Sequence, residues 1–213
     1  GMHNGFTFAT RAPRGFSRQD IAVLRSIFPT LAALQEVLAL GRVMREVMRM
    51  YVGNEPHLRI LSGDVRRGEV LRIRAAILFA DMRDFTGLTS HLSEEAATAL
   101  VNQYYDCIVP PIDERGGEVL KFMGDGILAI FRAGEDADIE ACMRAFAAAR
   151  AGLLKVARHN EESDRAMRFE VGIALHFGNA AYGNVGSGAR LDYTVIGRDV
   201  NLASRIADLC GRL

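Results

Sequence analysis

Beyond residue 70 the hydrophobic period of the chain keeps changing. Short apolar runs of strand length, such as residues 72–80 (RIRAAILFA), alternate with longer stretches whose apolar residues recur every three or four positions. That alternation excludes a helical bundle and an all-β sandwich, and leaves a domain in which helices pack on a sheet. Ser93 starts a helix over 93–114, which Gly116-Gly117 ends. The apolar runs 118–123 and 127–131 flank Gly124-Asp125-Gly126, a tight hairpin signal. An alanine-rich helix follows over 136–160, then a strand over 168–175, a hairpin from 180–186 with 190–196, and a helix over 199–210. The order βαββαβ plus an added hairpin predicts an α+β, ferredoxin-like sheet with helices on one face.

Residues 1–69 read differently, as a helical stalk or signalling linker ahead of a domain spanning 70–213. Ser17 and Asp20 form a capping box for a helix over 17–52, in which Pro29 predicts a kink or restart. Its apolar stripe fits a dimer-forming or signal-transmitting stalk and equally a helix packed on its own domain. Segment 53–70, with Gly53, Pro56, Gly63 and Gly68, reads as a hinge-like connection. No unbroken apolar run approaches the roughly 18 residues of a membrane span, and residues 1–15 hold no signal-peptide core. A cytoplasmic chain without a membrane segment is therefore expected. Lys+Arg and Asp+Glu both total 26, so bulk electrostatics do not favour nucleic acid as a partner. Cys107, Cys142 and Cys210 are odd in number and widely spaced, which excludes a disulfide framework and a thiolate zinc site. Among 213 residues only Lys121 and Lys155 are lysines, which singles out Lys121, inside a glycine-bounded block.

Chemistry concentrates where strands end. Asp81 closes the first strand of the domain and Asp125 sits at a hairpin tip. Each alone is an ordinary turn or capping residue. Paired at one sheet edge, they offer the hard oxygens that Mg²⁺ requires, with water and phosphate completing its shell. Other nucleotide motifs are missing: there is no GxxxxGK[ST] loop and no GxGxxG between strand and helix. Gly183–Gly188 reads as a hairpin turn, and His176, without ligand partners, as structural.

Four blocks together resemble the class III adenylyl and guanylyl cyclase catalytic domains: LFADMRDFTGLT (78–89), GGEVLKFMGDGILAIF (116–131), VGIALHFGNAAYGNVGS (171–187) and LDYTVIGRDVNLASRI (191–206). The resemblance implies that Asp81 and Asp125 bind two Mg²⁺ or Mn²⁺ ions. It implies that the backbone at Phe85 and Thr86 holds the phosphates, and that Lys121 and Thr194 select the base. Asn201 and Arg205 are implied as the transition-state pair. It further implies that ATP is the substrate, that cyclic AMP and pyrophosphate are the products, and that each site forms between the two subunits of a homodimer. Guanylyl members tend to carry Glu and Cys where Lys121 and Thr194 stand. A lysine can donate to adenine N1, whereas guanine N1 is itself a donor.

Three further expectations follow. The family's domain continues past the last helix with additional strands, so this chain is expected to be a piece of it. Asn179 stands where some members have a phosphate-contacting arginine. Residues 5–40 look like the last strand and exit helix of a GAF-like sensor, so an upstream sensor is expected. The alternatives are a guanylyl cyclase, opposed by Lys121 and Thr194, a catalytically silent module of the same fold, and a diguanylate-type enzyme, whose GG[DE]EF turn is absent.

Overall fold

The structure, a computed structural model, describes residues 5–63 and 65–210. It divides into two compact units, one running through Tyr51 and the other starting at Val52.

The first unit is dominated by α1 (Arg18–Val52). Its N-terminus carries the expected reciprocal cap: Ser17 N–H donates to Asp20 Oδ2 at 2.8 Å, and Asp20 N–H donates to Ser17 Oγ at 3.1 Å. Pro29 lies inside this helix without dividing it. No residue of α1 is buried, and residues 5–17 form neither strand nor helix, so the expected sensor strand is not found there. The expectation of no membrane segment meets one apolar helix. Among the described residues α1 is long and apolar enough to cross a membrane, by length and composition. Between Arg25 and Arg42 its only charged residue is Glu36, so the stretch is apolar on average although no unbroken apolar run occurs in it.

The second unit opens with α2 (Asn54–Leu61), a helix where a hinge was expected. A five-stranded antiparallel sheet follows, in the order β2-β3-β1-β4-β5. Its strands are β1 (Val70–Met82), β2 (Glu118–Met123), β3 (Gly126–Arg132), β4 (Val171–Gly186) and β5 (Leu191–Ile196). The helices are α3 (Phe85–Thr89), α4 (Glu94–Asp113), α5 (Asp138–Glu162) and α6 (Arg198–Cys210). The first four strands have the ferredoxin-like arrangement.

Alternate residues of β1 face two separate cores. Ala76, Leu78, Ala80 and Met82 pack with Leu100, Tyr104 and Ile108 of α4 and Ala145 and Ala148 of α5. Ala75 and Ile77 pack with Val200 and Ala203 of α6. Burial on both faces is why β1 reads as a continuous apolar run rather than an alternating one. Thus α4 and α5 share a face of the sheet, while α6 covers the other.

The expected break between 175 and 180 is absent, because β4 is one strand of 16 residues. Gly178 interrupts its sequence pattern for a tertiary reason: any Cβ there would collide with the Asp199 side chain of α6. The sheet curls so strongly that its edge strands β2 and β5 meet, bringing the side chains of Lys121 and Asp192 together.

Candidate active site

The hairpin signal is realised as a two-residue turn between β2 and β3. Gly124, at φ 70°, takes the left-handed first position, and Asp125 takes the second. The Tyr105 hydroxyl donates to the Gly124 carbonyl and ties the turn to α4. In register, Asp81 pairs with Gly126, and Met82 N–H donates to Asp125 O at 3.3 Å. A Cβ at Gly126 would stand 3.4 Å from Asp81 Oδ1, which places this glycine directly beside the carboxylate.

Asp81 senses the Asp125 carboxylate. Partial burial, then the Asp125 carboxylate, raise the Asp81 pKa, with Arg83 opposing and Asp208 of α6 adding to the shift. The Tyr104 hydroxyl is buried beside them without a hydrogen-bond partner; burial, then Asp81, raise its pKa. An unsatisfied buried hydroxyl next to two crowded carboxylates marks a site that another group completes. Among the described residues no cluster of three or more metal-ligating side chains occurs. Two carboxylates with open positions fit Mg²⁺ or Mn²⁺, which also take oxygens from water and phosphate.

A raised carboxyl pKa carries a sign. It contributes stability below the unfolded pKa, and that stability is lost as pH rises through the folded pKa. At neutral pH the ionised Asp81 therefore opposes folding. Asp81→Asn is expected to raise the melting temperature at pH 7 in the absence of divalent cation. In a pH series of melting curves the gain should vanish once the pH falls below the carboxylate range.

Phe85 and Thr86 open α3, directly after Asp84 at φ 49° and ψ 38°. A left-handed aspartate costs about 1 kcal/mol, and such strain clusters at ligand sites. Phe85 and Thr86 thus lie three and four residues beyond the end of β1, on the Asp81 side of the sheet.

The remaining predicted residues stand elsewhere. Lys121 on β2 pairs with the Asp192 carboxylate on β5, and Thr194, two residues along, is buried with 6% exposure. Asn201 and Arg205 are exposed and one turn apart on α6. The start of α6 is fastened by Asp199, whose Oδ2 accepts from Asn179 N–H at 2.7 Å. On β4, Asn179 pairs with Arg74 and Gly172 with Asp81, a separation of seven residues, about 23 Å of strand. Asn201 therefore lies toward the far end of β4 from Asp81, and Asn179 lies far from the carboxylates. One chain brings Asp81 and Asp125 together and Lys121 beside β5, but leaves Asn201 and Arg205 facing solvent.

His176 lies 3.7 Å from Asp199, a strand-to-helix contact outside the carboxylate pair. Gly183–Gly188 includes the turn between β4 and β5, closed by Ser187 N–H donating to Arg190 O at 2.9 Å. Two residues with a bearing on the site were not foreseen. Asp192 could have been found as an acid two residues from Thr194, able to meet one of only two lysines. Tyr104 carries no signal beyond its place on a core helix face.

Comparison with known proteins agrees with this architecture. Residues 72–211 match the model of the adenylate and guanylate cyclase catalytic domain. An adenylate cyclase of Anabaena cylindrica is 35% identical over 144 residues, covering 64% of this chain and 27% of the relative. This chain therefore spans about a quarter of that relative's length. A bacterial light-regulated adenylyl cyclase superposes with a TM-score of 0.70 at 26% identity, covering 88% of this chain and 54% of that one. The guanylyl cyclase Cya2 superposes with a TM-score of 0.57 at 31% identity, covering 66% and 72%. Both purine specificities thus occur among the similar proteins, and the chain belongs to the family of adenylate and guanylate cyclase catalytic domains.

Proposed function

We propose that the chain is the catalytic part of an adenylate cyclase, converting ATP to 3′,5′-cyclic AMP and pyrophosphate in signal transduction. The observation that carries this reading is the ammonium of Lys121, held by Asp192 on the strand that also bears Thr194. Lys121 donates to adenine N1, and the Thr194 hydroxyl accepts from the adenine amino group. Guanine would set its own N1–H against the ammonium, a mismatch of about 1–3 kcal/mol.

Asp81 and Asp125 would hold the divalent ions. Bound there, Mg²⁺ or Mn²⁺ would lower the pKa of the ribose 3′-hydroxyl and offset charge on the leaving pyrophosphate. The amides of Phe85 and Thr86 bind phosphate oxygens. Asn201 orients the ribose so that its 3′-oxygen faces the α-phosphorus in line. The 3′-O–P bond forms, the bond to pyrophosphate breaks, and the hydroxyl proton passes to water. Arg205 offers its planar fork to the charge that develops on the α-phosphate. Positioning and charge stabilisation account for the rate, without a protein general base.

The separation of Asp81 from Asn201 supports a homodimer in which one subunit supplies the carboxylates and the other supplies Lys121, Thr194, Asn201 and Arg205. The test is product identification. The chain with Mn²⁺ should form cyclic AMP from ATP, at a rate rising faster than linearly with protein concentration. Absence of cyclic product from both ATP and GTP would overturn the reading for this chain. Mixing Arg205→Ala with Asp125→Asn should restore about a quarter of wild-type activity. Half of the reassorted dimers then carry one of each variant, and one of their two sites is whole. Mixed samples no more active than either variant alone would exclude a shared site.

A further inference from the structure

The segment expected to be a hinge forms α2, and two of its side chains enter a closed ring of contacts on the sheet. Glu55 Oε1 accepts from Arg59 Nε at 3.3 Å, one turn away on α2. Glu55 Oε2 accepts from Arg132 Nη2 of β3 at 3.3 Å. The Arg132 guanidinium lies over the Tyr182 ring of β4, 5.6 Å from its centroid. Tyr182 meets Tyr193 of β5 edge to face, with centroids 4.6 Å apart. Arg59 returns to close the ring, 5.7 Å above Tyr193. Glu118 of β2 plugs into it, accepting from the fully buried Tyr182 hydroxyl at 2.6 Å.

None of these six residues has a role in the chemistry described above. Their neighbours do: Glu118 lies three residues before Lys121, and Tyr193 lies between Asp192 and Thr194. The ring therefore ties together the two edge strands that carry the purine contacts. β2 and β5 share no backbone ladder, being the outermost strands of the sheet, so side chains must hold them.

We propose that α2 is a clamp on the purine-binding half of the site, with Glu55, Arg59, Arg132, Tyr182 and Glu118 as positioning residues that set the spacing between Lys121 and Thr194. The inference rests on the purine-binding role given to those two residues. Aromatic and cation–π contacts contribute little singly, but a closed ring resists the sliding of any one strand. Glu55 accepts from Arg132, whose charge also acts on Glu118, so loosening α2 leaves Arg132 to Glu118 alone. Gly53, at φ 91°, is the only residue between α1 and α2 in the chain.

The experiment measures purine preference without turnover, on the full chain. Binding of 3′-deoxy-ATP and 3′-deoxy-GTP with Mn²⁺ is compared by calorimetry for the wild type, Arg59→Ala, Tyr182→Phe and Glu118→Gln. These analogues lack the attacking hydroxyl. The clamp requires that Arg59→Ala and Tyr182→Phe reduce the wild-type preference about tenfold. In turnover with ATP, KM should rise while kcat stays within about twofold. Glu118→Gln keeps an acceptor for the Tyr182 hydroxyl and should retain the preference. Should Tyr182→Phe fold poorly, Arg59→Ala, a change on the half-buried face of α2, still decides. An unchanged preference in Arg59→Ala overturns the clamp, as does an equal loss of both nucleotides. A wild type that prefers the guanine analogue overturns the adenylate reading alone, because the clamp must still reduce that preference. A wild type with no preference overturns both.

Discussion

Asp125→Asn should reduce cation-dependent cyclic nucleotide formation by at least about 100-fold, a barrier increase of ~2.7 kcal/mol. The physical reason lies in the turn. Asp125 occupies the second position of a two-residue hairpin loop that Gly124 and the Tyr105–Gly124 bond shape without help from its side chain. Asparagine is at home in such a turn, so the backbone should keep its path. The carboxylate charge is lost, and with it one of the two hard anionic ligands proposed for the cation. The variant should melt within a few degrees of the wild type and bind Mn²⁺–ATP more weakly by calorimetry. Arg205→Ala should lose turnover with Mn²⁺–ATP binding largely retained, since the role proposed for its guanidinium is to meet charge that appears only in the transition state. If Asp125→Asn turned over like the wild type, the carboxylates would be turn residues and the metal site would lie elsewhere.

That this hairpin was legible in the sequence, while other parts were not, has a physical basis. Gly124-Asp125-Gly126 between two apolar runs is a local signal, because turn geometry and strand period are both set within a dozen residues. The same holds for α4, which Ser93 caps by accepting from Ala96 N–H at 3.3 Å, and for the start of α1 at Ser17. Features decided by distant residues were not legible. Gly178 reads as a break, yet β4 runs through it because Asp199, twenty-one residues on, needs the space. Pro56 reads as a loop residue, yet it falls in the first turn of α2, where a proline has no hydrogen bond to lose. The helices were expected on one face of the sheet, whereas α6 covers the face opposite α4 and α5. Of the candidate site, the sequence puts Asp81 at a strand end and Asp125 at a hairpin tip, and the β1–β3 ladder brings them to one sheet edge. The pairing of Lys121 with Asp192 depends on the curl of the whole sheet, which no local pattern records.

That pairing determines how purine choice can be changed. Combining Lys121→Glu with Thr194→Cys introduces the residues that guanylyl members tend to carry, and should turn preference from ATP toward GTP. In this chain the double change alone should perform poorly. The carboxylate introduced by Lys121→Glu would face the Asp192 carboxylate where Lys121 now forms an ion pair, and two carboxylates in contact repel. One of them would take up a proton or swing away, and the base would lose its acceptor. Adding Asp192→Asn removes the repulsion and leaves a side chain able to donate to the introduced carboxylate. The triple variant is therefore expected to favour GTP over ATP by about tenfold or more in kcat/KM, near the ~1–3 kcal/mol that one mismatched donor commands. The double variant should show low activity on both nucleotides. Separation of cyclic AMP from cyclic GTP by chromatography reads both outcomes. A double variant that already favours GTP as strongly as the triple would mean that Asp192 does not touch the side chain at position 121 when nucleotide is bound. A triple variant that still favours ATP would remove Lys121 and Thr194 from the base-binding site. In the single variant Asp192→Asn, Lys121 keeps its charge but loses the partner that aims it. ATP should therefore bind more weakly while the order of preference stays the same, which separates holding the lysine from reading the base.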